Sequence, residues 1–249
     1  MHKDKDIRGM KKAIGSLLGF CVLCIWMTQC AVDGWNTRKY YFPLKKLEEG
    51  KVYAFKNVGN IGPSKVYWYY RAILGKEEVY LTATYYEDQP NPLQLVTERL
   101  VENGMIREEL FLFEVDSIGK SQRTKAEIEV GDAFPFYVKE RGGIFLQKQT
   151  WMDRETGHKM TLIKNRIFGG EDTFTWEGKE LDAVQFEVKE LLIDEADGAL
   201  ELEFSGNEVY AEGLGLVYYE KEIEEGVVMA YRLEDIMEMD DLVKLLLKF

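Results

Sequence analysis

From residue 51 onward the chain reads as one short β-like run after another, and helical periodicity appears only after residue 233. Residues 51–57, 65–74, 78–86, 93–101 and 105–115 form the first group of runs, and 125–130, 143–151, 158–168, 183–193, 199–204, 208–223 and 227–233 the second. In 78–86 the alternation is clear, with Val79, Leu81, Ala83 and Tyr85 on one face. Turn pairs separate several runs: Asn103-Gly104, Asp197-Gly198 and Glu225-Gly226. Asn-Gly favours a type I′ hairpin turn, which needs positive φ at two successive residues. With no helical segment between runs, parallel βαβ units are excluded and neighbouring runs are expected to pair antiparallel. The expected fold is all-β: one strongly curved antiparallel sheet of about ten strands, a half-barrel or open barrel, which hides edges that invite aggregation.

Tyrosine doublets add a second constraint. Tyr69-Tyr70, Tyr85-Tyr86 and Tyr218-Tyr219 lie inside runs. Successive strand residues point to opposite faces, so each doublet puts one ring on each side of the sheet. Either both faces are covered, or one is a concave apolar surface, or the tyrosines reflect β-propensity alone. Helical spacing of Ile236, Met239, Val243, Leu246 and Leu247 predicts a C-terminal amphipathic helix over 235–248. It either packs on the sheet or closes a cavity as a lid.

The first thirty residues are of another kind. Lys11 and Lys12 precede an apolar run over 13–27, the pattern of an export signal, with Met10 as an alternative start. The run is short for a helix crossing about 30 Å of hydrocarbon. It closes on Met27-Thr28-Gln29-Cys30, which resembles the bacterial lipobox. That resemblance implies cleavage before Cys30 and a diacylglyceryl chain on its sulfur, with enough acyl chains for stable anchoring. All three cysteines (Cys21, Cys24, Cys30) lie in this stretch, so no disulfide framework is expected in the body. The expected organisation is a signal peptide over 1–29, a lipidated linker over 30–39, and a single domain over 40–249.

Charge narrows the function. Of 249 residues, 32 are basic and 44 acidic, a formal net charge of −12. Residues 1–29 hold five basic and two acidic side chains, so the processed chain is more acidic still. A phosphate backbone needs a basic stripe, so nucleic acid is not an expected partner. The membrane is expected to be reached through the lipid on Cys30. Two histidines, His2 and His158, leave no multi-histidine metal site, and no cofactor motif is present. His158 sits in a polar turn, Asp153-Arg154-Glu155-Thr156-Gly157-His158. The acidic stretch 194–198 lacks the spacing of a calcium loop. The Gly213/Gly215 pair precedes a strand rather than a helix, so it reads as a bulge or a close backbone approach.

Three short motifs carry a family resemblance: Tyr41-Phe42-Pro43-Leu44, Gly50-Lys51-Val52-Tyr53, and Val209-Tyr210-Ala211-Glu212-Gly213-Leu214-Gly215-Leu216-Val217. They resemble the opening and closing segments of an uncharacterised class of Gram-negative envelope lipoproteins. That class is similar to the periplasmic half-barrel carriers of lipoproteins and lipids. The resemblance implies an exported, outer-membrane location and supplies no catalytic residue.

The functional expectation is a non-catalytic envelope lipoprotein that binds an apolar molecule or lipid in the concavity of its sheet. Trp68, Tyr70, Val79, Leu81, Tyr85, Phe111 and Phe113 are the candidate lining residues. An alternative is an interaction lipoprotein docking on another envelope protein through Tyr40, Tyr67 and Tyr69. A hydrolase built on paired carboxylates is a third reading, without nameable residues.

Overall fold

The computed structural model describes residues 34–115, 121–196 and 198–247. The export segment, Cys30 and the turn residue Asp197 lie outside them. Among these described residues, in the compact unit that begins at Gly34, fifteen strands and one α-helix are assigned. In order these are β1 (Trp35–Asn36), β2 (Lys51–Asn57), β3 (Lys65–Leu74), β4 (Val79–Tyr86), β5 (Gln94–Val101), β6 (Gly104–Val115), β7 (Ser121–Lys125) and β8 (Glu127–Pro135). Next come β9 (Tyr137–Val138), β10 (Ile144–Met152), β11 (Lys159–Trp176), β12 (Lys179–Ala196), β13 (Gly198–Ala211), β14 (Gly215–Glu224), β15 (Val227–Met237) and the helix α1 (Met239–Leu246).

The sheet is antiparallel and runs β5-β4-β3-β2-β15-β14-β13-β12-β11-β10-β8-β6. β6 then pairs back onto β5, so twelve strands form a ring, and β7 lies beside β6 as a thirteenth. Most neighbours are consecutive in the chain, as short turns dictate. The ring closes where β2 meets β15 over a seven-residue strand. Twelve strands stand between the eight that side chains can fill and the sixteen or more that leave a channel. The interior is therefore wide enough to need a plug, a ligand or both. The outer face carries ion pairs such as Lys125–Glu109 and Lys148–Glu129, both 2.7 Å. That face is unlike the apolar band of a membrane-spanning barrel.

Several turns differ from the sequence reading. Val101 pairs with Gly104, so Glu102 and Asn103 make the β5–β6 turn and Gly104 already belongs to the strand. Gly104 serves close packing: a Cβ there would lie 2.3 Å from the Phe134 carbonyl oxygen of β8. Paired positive φ values occur instead at Glu177 (49°) and Gly178 (75°), the tight link between β11 and β12. β11 and β12 each run for 18 residues, far beyond 158–168 and 183–193. The expected run ends at 168, but a bulge at Gly169-Gly170 carries β11 onward.

The N-terminal segment plugs one end of the ring. Residues 34–39 are no free linker: β1 pairs with β9, and the buried Thr37 hydroxyl donates to the Pro135 carbonyl at 2.6 Å. Phe42 then packs 4.2 Å from the Tyr70 ring, and Tyr41 packs 5.2 Å from Phe134. Phe134, Phe168, Phe186 and Tyr210 complete this aromatic end. The β13–β14 turn folds over it: Gly213 N–H donates to Lys39 O, and Tyr53 donates to Leu214 O at 3.0 Å. A Cβ on Gly215 would strike the Phe42 ring at 2.4 Å. The opening and closing motifs of the sequence thus meet in space.

The tyrosine doublets split as strand geometry requires. Tyr70 points inward, while Tyr67 and Tyr86 are buried outside with Val52 and Ala54 under Leu242 and Leu246 of α1. The helix therefore packs on the outer face. It is shorter than 235–248, because β15 continues to Met237 and pairs Ile236 with Tyr53. Asp240 and Asp241 sit in its first turn, where the helix dipole favours acids.

Candidate functional site

Above the aromatic plug the ring encloses a cavity of about 460 Å³, within the ordinary range for small-molecule sites. Its walls differ in kind. One is aromatic and aliphatic. Trp68 and Tyr70 of β3, Leu81, Ala83 and Tyr85 of β4, Val96 of β5, and Leu110 and Leu112 of β6 all face the space. Trp68 lies 4.9 Å from Tyr85, and Tyr219 stacks 5.3 Å from Tyr231 at the border of this wall.

The opposite wall carries charge. Arg166 donates from Nε to Glu208 Oε2 at 2.7 Å, and Lys164 donates to Glu208 Oε1 at 2.6 Å. Lys164 also lies 3.1 Å from Glu190, which pairs with Lys221 as well. Tyr210 donates its hydroxyl to Glu208 at 3.0 Å. At the plug end, Glu98 accepts from Tyr41 at 2.8 Å and from Arg107 at 3.3 Å. Burial alone would push the Glu208 carboxyl up, but Arg166 and Lys164 hold it far below the usual carboxylate range. Glu190 is also held low, by Lys164 and Lys221 against the same burial. Burial raises the hydroxyl pKa of Tyr41 and Tyr210, so both stay protonated donors.

Between the walls stand polar groups without partners. Gln147 is 2% exposed, and neither end of its amide has a hydrogen-bond partner. Gln149 Oε1, Arg166 Nη1 and Arg107 Nε are in the same condition. Buried polar groups are normally satisfied, since leaving one unpaired costs about 1–3 kcal/mol. Such atoms gathered around one cavity mark it as built for polar contact. Beyond the charges, Leu162, Leu192 and Leu202 form a cross-strand row on the same face. Leu200 and Leu202 remain 57% and 41% exposed, so the inner face continues outward as an apolar apron.

Four sequence candidates, Trp68, Tyr70, Leu81 and Tyr85, come together around the cavity. Val79 shares their face but sits at the first position of β4, outside it. Phe111 and Phe113 are corrections. Glu98 pairs with Arg107 but Thr97 with Glu109, so Glu108 is an extra residue and reverses the parity of β6. Leu110 and Leu112 turn inward, and Phe111 lies outside under Arg123 (4.6 Å) and Lys125 (5.3 Å). Tyr40 and Tyr67 are buried within the fold, so neither is a free contact anchor. His158 lies 2.9 Å from Asp194.

The charged wall escaped the sequence reading. Lys164, Arg166, Glu190 and Glu208 alternate with Ile163, Ile167, Leu191 and Val209, so they read as a solvent face. Opposite charges at matching parity on three successive strands were the available signal. Chemically, both carboxylates of this wall are held ionised. A carboxylate-based hydrolase needs one acid with a raised pKa, which neither Glu190 nor Glu208 supplies.

No family profile and no curated protein matches the chain. Solved structures do. A Parabacteroides distasonis protein described as a candidate lipoprotein superposes with a TM-score of 0.50 at 13% identity, covering 79% of this chain and 97% of its own. A Bacteroides fragilis candidate exported protein with a YmcC-like fold gives 0.51 at 12%, covering 80% and 99%. The hypothetical lipoprotein YmcC of Escherichia coli covers 95% and 98% at 11% identity, but its TM-score of 0.32 carries no argument. At these identities the likeness concerns the fold.

Proposed function

We propose that this chain is an exported, lipid-anchored, non-catalytic protein that holds an amphipathic molecule inside its barrel. The observation that carries the reading is the cavity itself. An apolar wall faces a polar one, and buried hydrogen-bonding atoms between them have no partner within the chain. A purely apolar ligand would leave Gln147 and Gln149 unsatisfied, and a purely polar one would waste the Trp68–Tyr85 wall. Export and anchoring at Cys30 rest on the lipobox resemblance. They agree with the descriptions of the two structural neighbours as lipoprotein and exported protein.

The test is mass spectrometry on solvent extracts of the whole protein purified from cell envelopes. The expected result is one amphipathic species near one per chain, together with an acylated N-terminal cysteine. An extract with no species above the level found with a Leu110→Arg variant, whose cavity is blocked, overturns the reading. The docking alternative finds no support in Tyr40 or Tyr67, which are already buried.

A further inference from the structure

The charges inside the ring do not balance. Arg107, Lys164, Arg166 and Lys221 border the cavity, and the carboxylates turned toward them are Glu98, Glu190 and Glu208. Glu220 also borders it, but its carboxylate faces the outer row, accepting from Asn207 at 2.6 Å and from Tyr218. Four cations thus share three carboxylates, in a chain whose formal net charge is −12. The cluster is largely enclosed: the Arg166, Glu190 and Glu208 side chains are each 7% exposed, Lys164 is 18% and Lys221 29%. An interior charge left without a counter-charge is expensive. The unpartnered donors are on the same side of the ledger. Arg166 Nη1, Arg107 Nε and Gln147 Nε2 are N–H groups with no acceptor, and two of them belong to cations.

We propose that the ligand carries a single negative charge on a carboxylate head attached to one apolar chain. This deepens the reading above and rests on it. The head would meet the Arg166, Lys164 and Gln147 side of the cavity, where a charge-assisted hydrogen bond is shorter and stronger than a neutral one. The chain would lie along Trp68, Tyr85, Leu110 and Leu112. Glu190 and Glu208 then repel a second anion. They neutralise most of the basic cluster, so the site accepts one charge and no more.

The experiment uses the full chain in a neutral detergent at mildly alkaline pH. Hexadecanoate, hexadecanol and hexadecyltrimethylammonium compete against an uncharged fluorescent polyene. The readout is the affinity ratio between probes, compared between native chain and variants so that partition into detergent cancels. The native chain should prefer hexadecanoate over hexadecanol by about tenfold, the size of one hydrogen bond to a charged group. Lys221→Met makes three cations face three carboxylates and should bring that ratio to about one. Lys221 is the most exposed of the four cations, at 29%, and Lys164 still faces Glu190 without it, so this variant should lose less stability than a change at Arg166 and stay folded at the assay temperature. Gln147→Glu supplies the missing anion from the protein and should invert the preference toward the alcohol. Equal binding of acid and alcohol by the native chain overturns the charge inference and leaves the cavity as an amphipathic site. A ratio unchanged in both folded variants also overturns it. Failure of all three probes to displace the polyene overturns the binding reading itself.

Discussion

The two walls of the cavity solve the same problem, an interior too wide for its own side chains, by opposite means. The wall built on β3 to β6 fills space with rings and branched chains, and each contributes by leaving water. The wall on β10 to β14 fills it with lysine, arginine and glutamate, which contribute only while every charge has its partner. The first degrades gradually when a residue is trimmed. The second should fail abruptly, because removing one member strands the others. A barrel that needed only stability would have extended the first wall all the way round, since replacing buried ion pairs with apolar residues is often neutral or stabilising. Retaining the second wall points to a use for it.

The sharpest way to break this comparison is Glu208→Ala. It leaves Arg166 and Lys164 facing one another and should destabilise the chain by about 3–5 kcal/mol in urea unfolding. Exchanging the pair together, Glu208→Leu with Arg166→Met, should cost markedly less than the single change, which a double-mutant cycle reads directly. If the single change costs no more than about 1 kcal/mol, the charged wall is loosely held and the contrast fails.

Acid tests the same wall without a mutation. Glu208 ionises far below its ordinary value of 4.5 in the folded chain, so the stability it supplies is whole at neutral pH. That stability is lost progressively as pH falls below about 4.5 toward the folded value. The urea midpoint of the native chain should therefore decline more steeply in acid than that of Glu208→Gln. Parallel declines would show that the carboxylate is not held low.

On the aromatic side, Phe42→Ala removes a ring packed against Tyr70, Tyr53 and Gly215 and should cost about 3 kcal/mol. The smallest effect sharpens the register. Phe111→Ala strips an outward ring and should cost under about 1 kcal/mol, while Leu112→Ala beside it should cost about 2 kcal/mol or more. The reverse order would restore the parity that an unbulged β6 implies.

How much of this was legible in the sequence follows from the same contrast. The apolar wall announces itself, because Leu81, Ala83 and Tyr85 alternate with polar neighbours and an apolar face is read as an inner one. The antiparallel all-β architecture followed from the turn pairs and from the absence of helices between strands. Ring closure did not, because it depends on β2 meeting β15 and β6 meeting β8, pairings that no local pattern encodes. Nor did the switch at Glu108: a bulge leaves the composition of β6 unchanged and reverses which residues are inside. The charged wall was hidden most thoroughly. A buried lysine and a solvated one look alike until the strands are placed side by side, and Ile163 and Ile167 pointed to the wrong face. The outer tyrosines, which either a covering layer or simple propensity would explain, are accounted for by α1.

The most direct test of the central claim is a crystal structure of the protein as isolated from its envelope. One elongated molecule should occupy the cavity, with its polar end on Gln147 and Arg166 and its body along Trp68, Tyr85 and Leu112. A cavity filled by its own side chains, or by a continuous chain of water from the charged wall to the aromatic one, would contradict the account.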